Sequence, residues 1–417
     1  MEDWIKSQIK YGLRYIPAAL LRYPFCKKRS EETERIREAA GGHMIRGVCR
    51  ANDRPEQETF DAIKNAGIGW VRGGFALPFN ADGTVREGFY ADKEKYKRFA
   101  EAGIKVMFIA PGPRSFYEIG IDSRTPEGAE FIRKSARFYI EELRGIIGAV
   151  QIGNELSTPR FRGSAHTLKE ACDYIGIFAE AIKAIKGDIL VGYNLVGPQV
   201  DQNVFLMPYM EYLDYVGVDI YIGSFFKQAA YMWVHGLLCK FLWAFLQKPV
   251  IVCECGYLGA GAPKTSAEKL EILRAYGYDY PTVAQAEEAL RQDPTSFFEK
   301  CPPIFAEHAK RWASGSPGEW LLSLDGKSHV YSEIPGGAKI KGCPHTPEGQ
   351  AAFFRRLLPS LEKLPFVCGL FIYSWYDDKE CNICGQESCP METKWGINHH
   401  DGTPKPAYYA IRDLWTS

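Results

Sequence analysis

Eight short aliphatic, β-branched runs, spaced along the chain by longer stretches, constrain this sequence more than anything else in it. They begin near residue 41: "HMIRGVC" at 43–49, "GIGWVRGGF" at 67–75, "GIKVMFIA" at 103–110 and "GAVQIGNE" at 148–155. The series continues with "DILVGYN" at 188–194, "LDYVGVDIY" at 213–221, "KPVIVCECGY" at 248–257 and "VCGLFIYSW" at 367–375. Each is nearly continuous in apolar character, the pattern of a strand buried on both faces. Several stretches between them are helical. "RPEQETFDAIKNAG" at 54–67 opens near a proline and stops at a glycine, and "DKEKYKRFAEAG" at 92–103 ends the same way. "TPEGAEFIRKSARFYIEELRG" at 125–145, "TPEGQAAFFRRLLPSLEKL" at 346–364 and "KPAYYAIRDLW" at 405–415 repeat apolar residues at three- and four-residue steps. Strand–helix alternation with eight strands predicts an α/β fold, a (β/α)8 TIM barrel. A doubly wound open sheet would carry a glycine-rich phosphate turn after its first strand, and "GVCRAND" is not one.

Two stretches exceed a minimal barrel. Residues 256–345 form a long insertion after strand 7, with a helical pattern at 282–293 and a turn-rich part at 314–345. A loop leaving that end of a strand is expected to roof or wall the catalytic face. Residues 1–40 form an N-terminal helical extension, leaving 41–417 for the barrel. Residues 1–30 hold seven Lys or Arg against two acids, with apolar residues between them. This segment reads either as a helix packed on the barrel or as a basic helix on an anionic membrane surface. Lys10, Arg14 and Arg22 interrupt it, so it does not span a bilayer, and no cleavable signal peptide is visible. A cytoplasmic location is the expectation.

Composition narrows the partners. Lys plus Arg and Asp plus Glu are both 51, a balance that argues against nucleic acid. The twelve cysteines are spread along the chain, several inside apolar runs where a thiol acts as a small hydrophobe. "CNICGQESC" brings Cys381, Cys384 and Cys389 together, and Cys343 or His345 would complete a structural zinc site. No second C-x-x-C exists, so the cluster also reads as free thiols or an occasional disulfide.

In a barrel of this kind, catalytic groups stand at the C-terminal ends of the strands. Those ends hold Arg72, Asn154 with Glu155, Asn194, Asp219 with Tyr221, Glu254 and Trp375. A buried carboxyl is costly unless it is paired or used. Glu155 and Glu254 fall on strands 4 and 7, nearly opposite across a small barrel. Strict alternation along "PVIVCECGY" would point Val252 and Glu254 into the mouth and Cys253 and Cys255 toward the helices. Two carboxyls aimed at one cavity suit acid and nucleophile work on an acetal, which needs no cofactor. Tyr221 and Trp375 read either as core aromatics or as sugar-facing groups, and Asn194 and Asp219 as turn formers or substrate contacts.

"GNEL" at 153–156 and "PVIVCECGY" at 249–257 resemble the strand-4 and strand-7 motifs of glycoside hydrolase clan A, the retaining barrel glycosidases. Arg72 after "GWV", Tyr221 in "DIYIG", Trp375 in "FIYSW" and "WGINHHDGTPKPAYYAI" at 395–411 extend the resemblance over roughly residues 43–256 and 346–415. It implies a carbohydrate substrate, Glu155 as acid/base, and Glu254 as a nucleophile supported by Arg72 and Tyr221. The chain departs from the cellulase and mannanase families of the clan: Asp219 stands where they often have a histidine, and "APGPRSF" at 110–116 follows strand 3 where they often have another. A transglycosylase using the same intermediate and a barrel that binds sugar without cutting it are the other readings.

Overall fold

The computed structural model describes residues 2–25, 30–197, 199–224, 231–261, 265–275, 277–293, 296, 339–381, 387 and 389–417. The eight strands are β1 (Ile45–Cys49), β2 (Trp70–Gly74), β3 (Lys105–Ala110), β4 (Ile147–Ile152), β5 (Leu190–Val196), β6 (Tyr215–Ile220), β7 (Val250–Cys255) and β8 (Val367–Ile372). They pair in sequence order, all parallel, and β8 returns to β1, so the sheet is a closed barrel. Each strand falls on one of the eight apolar runs.

Helices α1 (Glu2–Arg22) and α2 (Glu31–Ala39) precede the barrel. Around it lie α3 (Gln57–Asn65), α4 (Glu87–Glu101), α5 (Pro113–Tyr117), α6 (Pro126–Glu142), α7 (Pro159–Arg162), α8 (Leu168–Lys183), α9 (Val200–Leu206) and α10 (Trp233–Leu246). The insertion carries α11 (Ser266–Ala275) and α12 (Val283–Gln292). The chain closes with α13 (Pro347–Glu362), α14 (Pro390–Thr393) and α15 (Pro406–Trp415). Local chemistry sets many of the helix starts. Thr125, Thr167 and Thr346 cap α6, α8 and α13 through their hydroxyls, and Thr167 with Glu170 forms a reciprocal capping box. The larger part of the turn-rich half of the insertion lies outside the described residues, so only part of the roof expected at 256–345 is described.

Two apolar layers hold the barrel. The inner one fills its axis with Ile45, Trp70, Met107, Ala149, Leu190, Tyr215, Ile251 and Phe371. Small residues make room for large ones: a Cβ on Gly47 would sit 2.2 Å from the Phe371 ring, and one on Gly148 would sit 2.5 Å from Trp70. The outer layer packs Val250, Val252 and their counterparts on other strands against the helices. Strand β7 departs from strict alternation here. Cys253 lies in the inner layer with Ile251, while Val252 and Cys255 lie in the outer one. The cause is a register irregularity between Val252 and Cys255 against β8, matched by one between Val218 and Asp219 in β6. An extra residue of this kind re-aims the side chains that follow it. Cys253 therefore faces the axis rather than the helices, and Glu254 still reaches the mouth.

Helix α2 closes the opposite end. Ile36 joins the inner layer. The buried Arg37 donates from Nε to the carbonyl of Val367 (3.2 Å) and from Nη2 to the carbonyl and Oε1 of Glu362 (2.8 and 3.1 Å). Replacing Arg37 with alanine removes these bonds and strands acceptors at the start of β8. Urea unfolding of Arg37→Ala is expected to show a loss of about 3 kcal/mol; a loss within experimental error would mean that α2 does not brace the barrel.

Candidate active site

Arg72 organises the mouth from the end of β2. Its side chain is only 3% exposed, and each of its three nitrogens donates to an oxygen at the mouth, with Nη1 also reaching Cys49 Sγ at 3.7 Å. Nη1 donates to Glu254 Oε1 (2.6 Å), Nη2 to Asn154 Oδ1 (2.7 Å) and Nε to Gln151 Oε1 (2.8 Å). A planar guanidinium with fixed donors suits such a task better than a lysine. Tyr221 Oη donates to the other oxygen of Glu254 at 2.5 Å. Glu254 is thus an ion-paired carboxylate with a donor on each oxygen.

Glu155 sits in a different environment. The chain turns sharply after β4, and Glu155 adopts a left-handed backbone with φ of 44°. That conformation is strained for a residue with a side chain and persists only where its surroundings fix it. One fixing contact is visible: the Glu155 amide donates to Asn194 Oδ1 (2.8 Å). Its carboxyl opens partly to the mouth but is otherwise surrounded by protein. Withdrawal from water, then the nearby negative charge of Glu254, raise its pKa to about 7.

Asp219 completes the set. The register of β6 on β7 sets it beside Glu254. Its Oδ2 accepts from Asn194 Nδ2 (2.6 Å), and its other oxygen is buried with no N–H donor among the described residues. A charge on Glu155 disfavours a second carboxylate at Asp219. Burial, then Glu254 and Glu155, push Asp219 well above the usual carboxylate range. Asn194 Nδ2 also donates to Asn154 Oδ1 (3.0 Å). One continuous network therefore runs from Glu254 through Arg72, Asn154 and Asn194 to Asp219 and Glu155.

Seven of the eight strand-end residues singled out from the sequence meet in this network: Arg72, Asn154, Glu155, Asn194, Asp219, Tyr221 and Glu254. Trp375 does not. It is buried in the outer layer, its ring 6.0 Å from that of Tyr408 on α15. Strand β8 ends at Ile372, and the chain then turns: Tyr373 N bonds to Cys255 O, and Trp375 N to Cys49 O. The aromatic group on the mouth side is Tyr373, which with Trp395 packs around Tyr221 at 5.9 and 5.1 Å. Gln151 was also missed, although a lone amide inside the apolar run "AVQI" was its signal. Arg50, at the end of β1, forms a two-pronged pair with Asp378 (2.5 and 2.8 Å) and reaches Tyr373 Oη (3.4 Å).

Of the proposed zinc ligands, Cys384 lies outside the described residues. His345 Nε2 bonds to the carbonyl of Gly223 (2.7 Å), and Cys343 accepts from Arg356 (3.4 Å). Among the described residues no cluster of three His, Cys, Asp or Glu could hold a metal.

No family model and no curated protein matches this chain. Solved structures do. A GH2 beta-galacturonidase from Eisenbergiella tayi aligns at 15% identity and a TM-score of 0.50, over 90% of this chain and 51% of that one. A GH53 catalytic domain from Ignisphaera aggregans aligns at 16% identity and 0.49, over 93% and 95%. A Bifidobacterium dentium beta-glucuronidase aligns at 13% and 0.47, over 90% and 46%. This chain thus spans about half the length of the beta-glucuronidase and beta-galacturonidase structures it matches. What is shared at these identities is the barrel fold.

The raised pKa of Asp219 has a measurable consequence. An unfolded aspartate ionises near pH 4, whereas the folded one is raised. Folding above that pH must therefore take up a proton, and stability falls as pH rises. Asp219→Asn keeps an acceptor for Asn194 and a donor toward Glu155 without needing that proton. Thermal melting should show the variant more stable than the parent at pH 7 and above, with the gain shrinking toward pH 4. A variant less stable than the parent at pH 8 would contradict the protonation.

Proposed function

We propose that the protein is a retaining glycoside hydrolase acting on O-glycosidic bonds, most simply β bonds, of oligosaccharides or glycosides. The observation that carries this reading is the unequal treatment of two carboxyls at one barrel mouth. Glu254 is ion-paired and doubly hydrogen-bonded; Glu155 is held protonated to near neutrality. Double displacement needs this division.

In the first step Glu155 gives its proton to the departing glycosidic oxygen while a Glu254 oxygen bonds to the anomeric carbon and the C–O bond breaks. In the second, Glu155, now ionised, removes a proton from water, which attacks the same carbon and releases Glu254. Arg72 and Tyr221 hold the Glu254 carboxylate and receive it again as the leaving group. Asn154, Asn194 and Asp219 position the acid, and Tyr373, backed by the buried Trp395, offers apolar surface to a sugar ring. No step calls for a cofactor. The clan A resemblance of the strand-4 and strand-7 motifs supports the same assignment.

Kinetics on aryl glycosides test the two roles. Glu254→Ala should lose roughly four orders of magnitude or more in kcat. Glu155→Ala should lose about two to four orders on substrates with poor leaving groups and much less on those whose leaving group needs no proton. Azide should partly restore Glu155→Ala and give a β-glycosyl azide from a β-glycoside. Near-normal turnover by Glu254→Ala, or equal losses for good and poor leaving groups in Glu155→Ala, would defeat the assignment. In the parent, kcat/KM should fall as pH rises through about 7, because Glu155 then loses the proton it must donate.

A further inference from the structure

We infer that the outer face of α1 is a docking surface for an anionic lipid bilayer. The inner face of this helix is already committed. Ser7 and Gln8 bond to the Asp201 carboxylate at the start of α9, and Gln8 Oε1 accepts from Val200 N (2.9 Å). Tyr11 meets Phe205 edge-on at 5.3 Å, Tyr15 packs on Phe245 of α10, and Ala19 is buried among them. These contacts fix which side of α1 points away from the barrel.

That outer side is apolar where a water-facing helix would be polar. Ile9, Leu13 and Leu20, spaced by four and seven residues, form one stripe, and Leu13 is 78% exposed. Leu21, in line with Arg14, and Phe25, in the turn after α1, add exposed apolar surface beside it, at 76% and 79% exposed. Singly exposed leucines are ordinary, but a continuous stripe of them marks a contact surface. Lys6, Lys10 and Arg14, each four residues from the next, form an exposed row beside the stripe. No acid occurs in α1 after Asp3. The neighbouring α10 likewise has no acid and exposes Trp233 and Leu237.

The charge pattern chooses the occupant. A second copy of the chain docked symmetrically through this face would set the Lys6–Lys10–Arg14 row against its equal, while the acids of α1, Glu2 and Asp3, stand in its first turn. A bilayer with anionic headgroups answers it directly. Leucine and phenylalanine side chains enter the headgroup–acyl boundary, while lysine and arginine extend to the phosphates. Among the described residues no helix is long and apolar enough to cross a membrane, so the mode is surface attachment. Because α1 is bonded to α9 and α10, the whole barrel would be held at the surface in a fixed orientation.

Sedimentation of the full chain with vesicles tests this. The protein should pellet with an equal mixture of phosphatidylcholine and phosphatidylglycerol, stay in solution with phosphatidylcholine alone, and be released by high salt. Leu13→Asp with Leu20→Asp, and separately Lys10→Glu with Arg14→Glu, should each weaken binding about tenfold or more without lowering the melting temperature. Failure of the parent to pellet with the anionic vesicles at low salt would overturn the inference. So would a dimer in light scattering that Leu13→Asp with Leu20→Asp dissociates, because the face would then join two copies.

Discussion

A single buried cation sets the terms at the mouth of this barrel. Arg72 spends its donors on Glu254, Asn154 and Gln151 and so ties the ends of β2, β4 and β7 together. Three carboxyls converge on it: Glu155, Asp219 and Glu254. One guanidinium compensates one carboxylate at short range, and the geometry decides which. Glu254 takes the ion pair. Glu155 and Asp219, more deeply withdrawn from water and without an ion pair of that strength, retain protons to higher pH, although Arg160 draws on Glu155. The separation of roles therefore follows from burial together with the position of one arginine, which favours the charged form of Glu254 over its two neighbours.

The amides transmit this arrangement. Asn154 Oδ1 accepts from Arg72, Gln151 and Asn194, which fixes its carbonyl toward the cation. Asn194 then presents its oxygen to the Glu155 amide and its nitrogen to Asp219. Fully connected polar networks of this kind specify one geometry, because each member turned the wrong way leaves a buried group unsatisfied. The left-handed backbone at Glu155 is tolerated within such a frame.

Much of this was legible in the sequence because parallel barrels write their topology plainly. Eight doubly buried strands give eight apolar runs, and the chemistry gathers where those runs end. Arg72, Asn154, Asn194, Asp219, Tyr221 and the two glutamates were found that way. The failures have local causes. Alternation along β7 misassigned Cys253 and Val252, because the register shift before Glu254 is a property of strand pairing and leaves no periodic trace in one strand. Trp375 was chosen over Tyr373 because the position at which β8 stops and the chain turns is set by contacts to Cys49 and Cys255 on other strands. Trp395 approaches Tyr221 from a loop well past β8; the resemblance took in its stretch, 395–411, but gave this ring no contact.

The account stands on Glu254 as the residue that bonds to sugar. The most direct measurement is intact-protein and peptide mass spectrometry after incubation with a panel of 2-deoxy-2-fluoro glycosides bearing good leaving groups, which slow release of the intermediate more than its formation. The expected result is one added fluoroglycosyl group, on the peptide that contains Glu254, absent in Glu254→Gln and reversed when a sugar acceptor is supplied. A label on any other residue, or hydrolysis that inverts the anomeric configuration, would contradict it.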